Sequence, residues 1–268
     1  MNLPPAGDLL QELVALSRTA GDAILEVYQR DFSVEFKDDR SPLTAADLAS
    51  HRIICDALRN MAPDIPVLSE ESADISYSER RTWTRYFLVD PLDGTREFVN
   101  RNGEFTVNIA LIENHRPVLG VVHVPVRGIT YAGAAGVGAY RQEDGEPSQI
   151  GVRRPAEQPL VVVGSRSHAN PDLANRLEAL GPYELVSMGS SLKFCLVAEG
   201  KADFYPRLGP TSEWDTAAAQ AVVEAAGGKV VTLDGEPLRY NRKDNILNPD
   251  FLVFGDDARD WAALMATP

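Results

Sequence analysis

Cysteine and long hydrophobic runs are what this sequence lacks. Its two cysteines, Cys55 and Cys195, are too few for a disulfide framework and are not at metal-site spacing. We therefore expect both to be reduced, buried side chains. No apolar run approaches the roughly 18 residues of a membrane span, and the first residues, MNLPPAGD, do not have the pattern of a signal peptide. These features predict a cytoplasmic protein without a transmembrane segment, and they leave peripheral attachment to the inner membrane open.

Positive charge is scarce as well. The 268 residues include 26 lysines and arginines against 39 acidic residues, a formal net charge of -13. Such a surface repels nucleic acid, so we predict no nucleic-acid partner. It would also repel a phosphorylated small molecule unless divalent cations reverse the sign of the field inside the binding site. An anionic substrate would therefore require metal ions.

The apolar pattern predicts a mixed α/β (α+β) fold with helices on sheets. Helical spacing covers about 9–27, 44–61, 171–180, 190–199 and 213–226. Runs rich in β-formers predict an antiparallel meander over 105–134 and further strands near 33–36, 65–68, 86–89, 160–163, 184–187, 203–205, 229–232 and 251–254. The Pro- and Gln-bearing segment 153–159 favours a boundary between an N-terminal subdomain, 1–155, and a C-terminal one, 156–268.

The hexapeptide DPLDGT at 90–95 is the strongest chemical signal, because it follows the apolar run 86–89. A strand that ends in Asp90 and Asp93 would direct carboxylates into a cleft, where Mg²⁺ can bind together with phosphate oxygens. A type I turn is the alternative, since Asp, Pro and Gly are ordinary turn residues. Glu70 also follows a predicted strand. Beside the two aspartates it becomes a candidate third ligand, able to bridge two cations.

Two further acids stand at predicted helix starts. Thr44 with Asp47, and Ser212 with Asp215, have the spacing of capping boxes. Asp47 also lies on the inward stripe of its helix, where an unpaired charge is costly. Capping and a functional role are compatible for Asp47, whereas Asp215 is a candidate metal ligand only in combination with the other carboxylates.

The segment GSSLK at 189–193 predicts an anion site. A helix that starts with Gly-Ser-Ser offers backbone N–H groups and hydroxyls. Lys193 is the lone charge of an apolar helix, and both the helix dipole and burial disfavour a cation there without a partner. The alternative is a lysine that extends from a buried helix to solvent. Arg207 and His168 could supply further donors, although each alone is more often a surface residue.

Taken together, these segments resemble the Mg²⁺-dependent, lithium-sensitive phosphatase superfamily that includes inositol monophosphatase and fructose-1,6-bisphosphatase. The superfamily elements are DPLDGT at 90–95 and WDTAA at 214–218, followed by AGG at 226–228. In particular, the chain resembles the bacterial CysQ-type 3'(2'),5'-bisphosphate nucleotidases. That likeness rests on SPLTAAD at 41–47, LSEE at 68–71, TREF at 95–98, RNGEFTVN at 101–108, SRSH at 165–168 and GSSLKFC at 189–195. It extends over about 9–254.

The resemblance implies a metal cofactor, two or three Mg²⁺ ions, at an active site between the subdomains of a layered αβαβα sandwich. The implied ligands are four carboxylates and one backbone carbonyl, namely Glu70, Asp90, Leu92 through its carbonyl, Asp93 and Asp215. Asp93 and Asp215 would also contact substrate. The loop 37–41 would be a mobile lid, with Asp39 as a candidate ligand for a further ion.

The resemblance also implies roles for the remaining candidates. Thr95 with Asp47 would polarise the attacking water, a step in which Glu70 would share, and the amides of Gly94 and Thr95 would hold the scissile phosphate. The 5'-phosphate end of a nucleotide would contact four side chains, those of His168, Ser190, Lys193 and Arg207.

The implied activity is hydrolysis of the 3'-phosphate of 3'-phosphoadenosine 5'-phosphate to AMP and phosphate, in sulfur assimilation. The partner is then a small-molecule nucleotide. One alternative is an inositol monophosphatase-like or sugar phosphatase, which would share the metal motif and differ in the segment 189–193. The other is a phosphonucleotide or metal sensor, in which part of the ligand set would be missing.

Overall fold

Helices and strands alternate along most of the chain in the computed structural model, which describes residues 3–30, 34–36, 42–166, 173 and 176–266. The described helices are α1 (Ala6–Tyr28), α2 (Ala45–Met61), α3 (Tyr77–Arg80), α4 (Thr95–Val99), α5 (Leu192–Ala198), α6 (Glu213–Ala225) and α7 (Trp261–Ala266). Short 3-10 turns cover Glu70–Ser72, Pro125–Arg127 and Glu178–Leu180. The strands are β1 (Glu35–Phe36), β2 (Pro42–Leu43), β3 (Val67–Ser69), β4 (Arg85–Asp93), β5 (Thr106–Glu113), β6 (Arg116–Val124), β7 (Ile129–Ala134), β8 (Gly138–Glu143), β9 (Glu146–Ile150), β10 (Leu160–Ser165), β11 (Tyr183–Met188), β12 (Phe204–Arg207), β13 (Lys229–Thr232) and β14 (Phe251–Phe254).

The strands form two large sheets and a short hairpin. The first sheet has seven strands in the order β3-β4-β5-β6-β7-β8-β9, with β3 parallel to β4 and every later pair antiparallel. The second has five strands in the order β11-β10-β12-β14-β13, of which β11, β10 and β12 run parallel. The hairpin pairs β1 with β2.

Five layers stack in the order helix, sheet, helix, sheet, helix, which confirms the αβαβα sandwich. Helices α1 and α2 pack on one face of the seven-stranded sheet, and α6 packs on the other. Helices α5 and α6 fill the space between the two sheets. On the far face of the second sheet, Trp261 of α7 packs against Phe204 and Phe254.

Strand β4 is buried on both faces, and this explains why its sequence is apolar without alternation. Phe87 and Val89 belong to the core beneath α1 and α2, whereas Tyr86 and Leu88 belong to the core between the sheets. Since successive side chains of a strand point to opposite faces, a strand covered by helices on both sides must be apolar at every position.

Helix α6 approaches the first sheet closely because Gly120 lies beneath it. A Cβ atom at Gly120 would stand 2.1 Å from the carbonyl oxygen of Ala218. No side chain fits there without displacing the helix backbone. This close approach is what places the first turn of α6, with Asp215, beside the end of β4.

Most predicted elements are confirmed, with some additions. The meander continues into β8 and β9, which the sequence did not indicate because β9 is a polar, exposed edge strand. Helices α3, α4 and α7, of four to six residues, are too short to show a helical period. Of the predicted helix over 171–180, the parts described are residues 173 and 176–180, and the predicted strand near 33–36 is described as a strand over Glu35–Phe36.

Residues 151–159 connect the two sheets without a helix or strand of their own. The division into 1–155 and 156–268 stays a proposal. Helix α6 comes from the second part of the chain yet packs on the sheet of the first, so the core between the sheets is built by both.

The structure bears on the predictions made from the two cysteines and from the lack of long apolar runs. Cys55 and Cys195 are both free and buried, as expected. In the part of the chain that the structure describes, no helix combines the length and apolar character needed to cross a membrane.

Candidate active site

A cavity of about 360 Å³ opens at the end of β4, between residues of the first sheet and residues of the second half of the chain. Its wall is built by the end of β4, the start of α4, the segment 189–194, the end of β12 and the start of α6. Most of the predicted site residues line it, namely Glu70, Asp90, Leu92, Asp93, Gly94, Thr95, Ser190, Lys193, Arg207 and Asp215. The structure therefore brings together segments more than a hundred residues apart.

Three of the predicted ligands form a tight carboxylate cluster. Asp90, Asp93 and Asp215 each place one carboxylate oxygen within 4.8 Å of the others. Glu70 lines the same cavity from the turn after β3 and lies outside this group of three. The cluster combines two acids from the first sheet with one from α6.

An irregularity in β4 makes this arrangement possible. Residues three apart in a regular strand point to opposite faces. The pairing of β4 with β5 shifts register between Asp90 and Asp93, and this shift lets both carboxylates reach the same cluster. The Ser50 hydroxyl of α2 donates to the Pro91 carbonyl at 2.7 Å and so holds the shifted segment in place.

The electrostatics of the cluster fit a hard cation. Burial, with the charges of Glu70, Asp93 and Asp215, raises the pKa of Asp90 well above its usual range. Burial, with the charges of Asp93 and Glu70, also raises the pKa of Asp215 to about 8. Buried like charges at this spacing repel each other, and a divalent cation with oxygen ligands relieves that repulsion. The donor set contains oxygen atoms alone, which is the preference of Mg²⁺ and similar ions.

Asp93 is held by a dense set of donors to its Oδ2 atom. The Ser191 amide donates at 2.6 Å and the Ser191 hydroxyl at 2.8 Å. Asn108 Nδ2 and the Thr106 hydroxyl approach at 3.3 and 3.4 Å. The sequence assigned no role to Thr106 or Asn108 and placed Ser191 in an anion site, because only the tertiary fold brings β5 and the start of α5 to the tip of β4.

Asp47 caps its helix and also contacts Thr95, its predicted catalytic partner. Its Oδ2 accepts the Thr44 amide at 2.8 Å and the Thr44 hydroxyl at 2.7 Å, completing the capping box of α2. Its Oδ1 accepts the Thr95 hydroxyl at 3.3 Å. The carboxylate is buried and lies behind Thr95, so it reaches the cavity through that hydroxyl. Thr95 also lies 3.4 Å from the carbonyl of Leu92.

The segment 189–193 differs in one respect from the anion site that the sequence predicts. Two of its backbone amides are not free, because Gly189 donates to Glu104 Oε2 at 2.8 Å and Ser191 donates to Asp93. The expectation of free N–H groups was therefore wrong at these two positions, where the protein's own carboxylates take the place of an anion. Arg166 pairs with Glu104 through two bonds of 2.8 Å and completes this contact, which the sequence did not reveal.

Three polar side chains of the same region do face the cavity. Ser190 has a φ of 44°, and within the described residues its buried hydroxyl has no hydrogen-bond partner. The Lys193 ammonium is buried and donates to the Ser190 carbonyl, and burial lowers its pKa to about 8 although Asp93 opposes the shift. Arg207 donates through Nη2 to the Pro210 carbonyl, while its buried Nε has no partner in the described part of the chain.

The remaining candidates fall on residues that the structure does not describe. His168 lies outside the described residues, as do Asp39 and the loop 37–41. Their predicted roles stay predictions.

The chain belongs to the inositol monophosphatase family, whose model matches residues 8–263. Among its relatives, the 3'(2'),5'-bisphosphate nucleotidase CysQ of Escherichia coli strain K12 is 53% identical over 247 residues, which cover 91% of this chain and 99% of that protein. The CysQ of Haemophilus influenzae is 36% identical over 258 residues, 96% of each chain.

Solved structures agree with this assignment. The crystal structure of CysQ from Bacteroides thetaiotaomicron, a bacterial member of the inositol monophosphatase family, superposes with a TM-score of 0.79 at 44% identity and covers 90% of this chain and 95% of that one. The IMPase of Thermotoga maritima gives a TM-score of 0.78 at 26% identity, with 97% of both chains covered. These matches confirm the family and the fold, and they show that this chain is a phosphatase.

Proposed function

We propose that this chain is a 3'(2'),5'-bisphosphate nucleotidase that hydrolyses the 3'-phosphate of 3'-phosphoadenosine 5'-phosphate to AMP and phosphate. One observation carries the proposal. A carboxylate cluster suited to cations and a separate group of donors, Ser190, Lys193 and Arg207, line the same cavity. With cations bound to the carboxylates, the cavity would hold one phosphate at the cations and a second phosphate at the donor groups, which matches a substrate with two phosphates. The similarity to the CysQ nucleotidases supports the same substrate class.

The proposed cofactor is Mg²⁺, two or three ions. Asp90, Asp93, Asp215 and Glu70 would hold it together with the carbonyl of Leu92. When bound, the ions would neutralise phosphate charge and lower the pKa of a coordinated water. An acidic chain needs such ions before a bisphosphate can enter the site.

The residues around the cluster would orient the attacking water and the scissile phosphate. Because Asp47 can accept a hydrogen bond from the Thr95 hydroxyl, the lone pairs of that oxygen can accept a hydrogen bond from the attacking water. Glu70 would accept the proton that this water gives up. The Gly94 and Thr95 amides stand at the start of α4, where they would donate to phosphate oxygens.

The second phosphate would contact Lys193, Arg207 and Ser190, with His168 as a further candidate. Hydrolysis of this substrate would remove a by-product of sulfate assimilation in the cytoplasm. Nothing among the described residues supports the peripheral membrane attachment that the sequence left open.

A substrate panel with titrated Mg²⁺ tests the proposal. The purified chain is assayed for phosphate release from 3'-phosphoadenosine 5'-phosphate, inositol 1-phosphate and fructose 1,6-bisphosphate. We expect the nucleotide to have the highest kcat/KM and turnover to stop when EDTA removes the metal. A preference for either of the other compounds would assign the chain to the inositol or sugar phosphatases. Binding without phosphate release would leave the sensor as the function.

Replacement of Asp93 by Asn tests the metal assignment within this assay. The side chain keeps its shape and loses its charge, so we expect a folded protein whose kcat/KM falls by at least about a hundredfold. Removal of a hydrogen-bond partner of a metal ligand already lowers activity by up to about a hundredfold, and loss of the ligand itself should cost no less. Asp22→Asn on the exposed face of α1 is the matched control and should retain full turnover. A near-normal rate in Asp93→Asn would contradict the assignment.

A further inference from the structure

The hydroxyl of Ser191 joins the two segments that supply the carboxylate cluster. Its Oγ lies 2.8 Å from Asp93 Oδ2 and 2.6 Å from the carbonyl oxygen of Asp215. Asp93 ends β4 in the first sheet, whereas Asp215 lies in the first turn of α6. Ser191 is buried, so bulk water does not compete for these contacts. One oxygen atom thus links the two sides of the cluster.

Asn108 on β5 sets the direction of that hydroxyl. Its Nδ2 lies 2.8 Å from Ser191 Oγ and 3.3 Å from Asp93 Oδ2. The amide nitrogen can only donate, so Ser191 Oγ accepts here and its single proton is directed to Asp93 or to the Asp215 carbonyl. The flipped amide would place an oxygen against the Asp93 carboxylate, and this repulsion supports the orientation seen.

We propose that Ser191 is a positioning residue that holds Asp93 and Asp215 at the spacing needed for cation binding, with Asn108 orienting its hydroxyl. The inference rests on the proposed function, since it requires that the cluster bind metal. Three carboxylates within 4.8 Å, one buried and two half-buried, repel each other, and neutral donors help to hold them in place. At Asp93 the Ser191 amide donates, and the Ser191 hydroxyl lies within hydrogen-bond distance of both Asp93 Oδ2 and the Asp215 carbonyl and donates its one proton to one of them.

Direct measurement of Mg²⁺ binding to the metal-free protein tests the proposal. In isothermal titration calorimetry without substrate, Ser191→Ala is expected to bind Mg²⁺ about ten- to a hundredfold more weakly, the usual effect of removing a ligand's hydrogen-bond partner. Ser17→Ala is the matched control, because its buried hydroxyl bonds to the Val14 carbonyl at 2.9 Å on α1, away from the cluster. The control should bind as the unaltered chain does. Ser191→Thr, which keeps the hydroxyl, should recover most of the affinity.

Asn108→Leu provides a second route to the same answer. The leucine has a similar volume and cannot donate, so Mg²⁺ affinity should fall several-fold. The double variant with Ser191→Ala should lose little more affinity than Ser191→Ala alone, because both substitutions act through the same oxygen atom. If Ser191→Ala does not fold, Asn108→Leu decides. Affinity equal to that of Ser17→Ala, or fully additive losses, would overturn the inference. Since no substrate is present, a wrong substrate assignment leaves these results unaffected.

Discussion

Two acidic residues of the site also form the starts of the helices that carry them. Asp215 accepts the Ser212 amide at 2.9 Å in the capping box of α6, and Asp47 does the same for Thr44 in α2. A capping carboxylate has a fixed rotamer, so little conformational entropy remains to be lost when it meets a ligand. Capping therefore positions both carboxylates, and it is compatible with the functional role proposed for each acid.

Lys193 is expected to bind the second phosphate of the substrate. Its ammonium is buried and its pKa is lowered to about 8, so it remains charged at neutral pH. Loss of a buried charged donor is worth about 1.5–3 kcal/mol, and Lys193→Ala should therefore raise KM for 3'-phosphoadenosine 5'-phosphate by about ten- to a hundredfold. Steady-state kinetics should show a much smaller change for adenosine 3'-monophosphate.

Lys201→Ala is the control for this variant. Lys201 follows the same helix, is 61% exposed and pairs with Glu199 at 3.1 Å, so its removal should leave both KM values unchanged. Equal increases of KM for the bisphosphate and the monophosphate in Lys193→Ala would show that this lysine does not distinguish the two substrates.

At the scale of elements, the position of α6 on the first sheet determines where Asp215 lies. Its contact with β6 depends on Gly120, where a Cβ atom would meet the backbone of the helix at 2.1 Å. Backbone cannot move aside as a flexible side chain can. Any side chain at this position would lift α6 and separate Asp215 from Asp90 and Asp93.

Gly120→Ala should therefore reduce both stability and turnover. We expect the free energy of unfolding to fall by at least about 3 kcal/mol, the upper range for overpacking, as measured by urea denaturation. Gly7→Ala is the control, because a Cβ atom there meets nothing within 4 Å on α1, and alanine is the better helix former. A Gly120→Ala protein as stable and active as Gly7→Ala would show that α6 does not need this close approach.

At the scale of the whole molecule, α1 packs on the first sheet against His123, a buried histidine of β6. A Cβ atom at Gly21 would lie 2.6 Å from the ring of His123, which bonds to the Thr130 hydroxyl at 2.9 Å. Burial, with the charge of Arg18, lowers the pKa of His123 from 6.5 to about 4. The histidine therefore stays neutral in the folded protein at pH values where the unfolded chain binds a proton.

This shift predicts that stability falls as the pH drops from 6.5 towards 4. Between these values the unfolded state binds the proton more readily, so His123 removes up to about 3 kcal/mol from the free energy of unfolding, at 1.36 kcal/mol for each pKa unit. His123→Gln should show a shallower decline over the same range in urea titrations at several pH values. Parallel pH profiles for the two proteins would contradict the assigned role.

The class of fold, most helices and strands, and the acidic residues of the candidate site were predicted from the sequence, because apolar periods, caps and strand-end carboxylates are local patterns. Asp90, Asp93 and Asp215 were predicted as ligands, and the structure brings them within 4.8 Å of one another. Which groups hold these carboxylates in place depends on the tertiary structure. The contacts of Ser191 with Asp93 and Asp215, and of Glu104 with the Gly189 amide, join residues 24 to 98 positions apart. Contacts of that separation depend on the stacking of the sheets, which leaves no period or motif in the sequence, and on the register shift in β4, which lies within the DPLDGT motif but cannot be inferred from its residues alone.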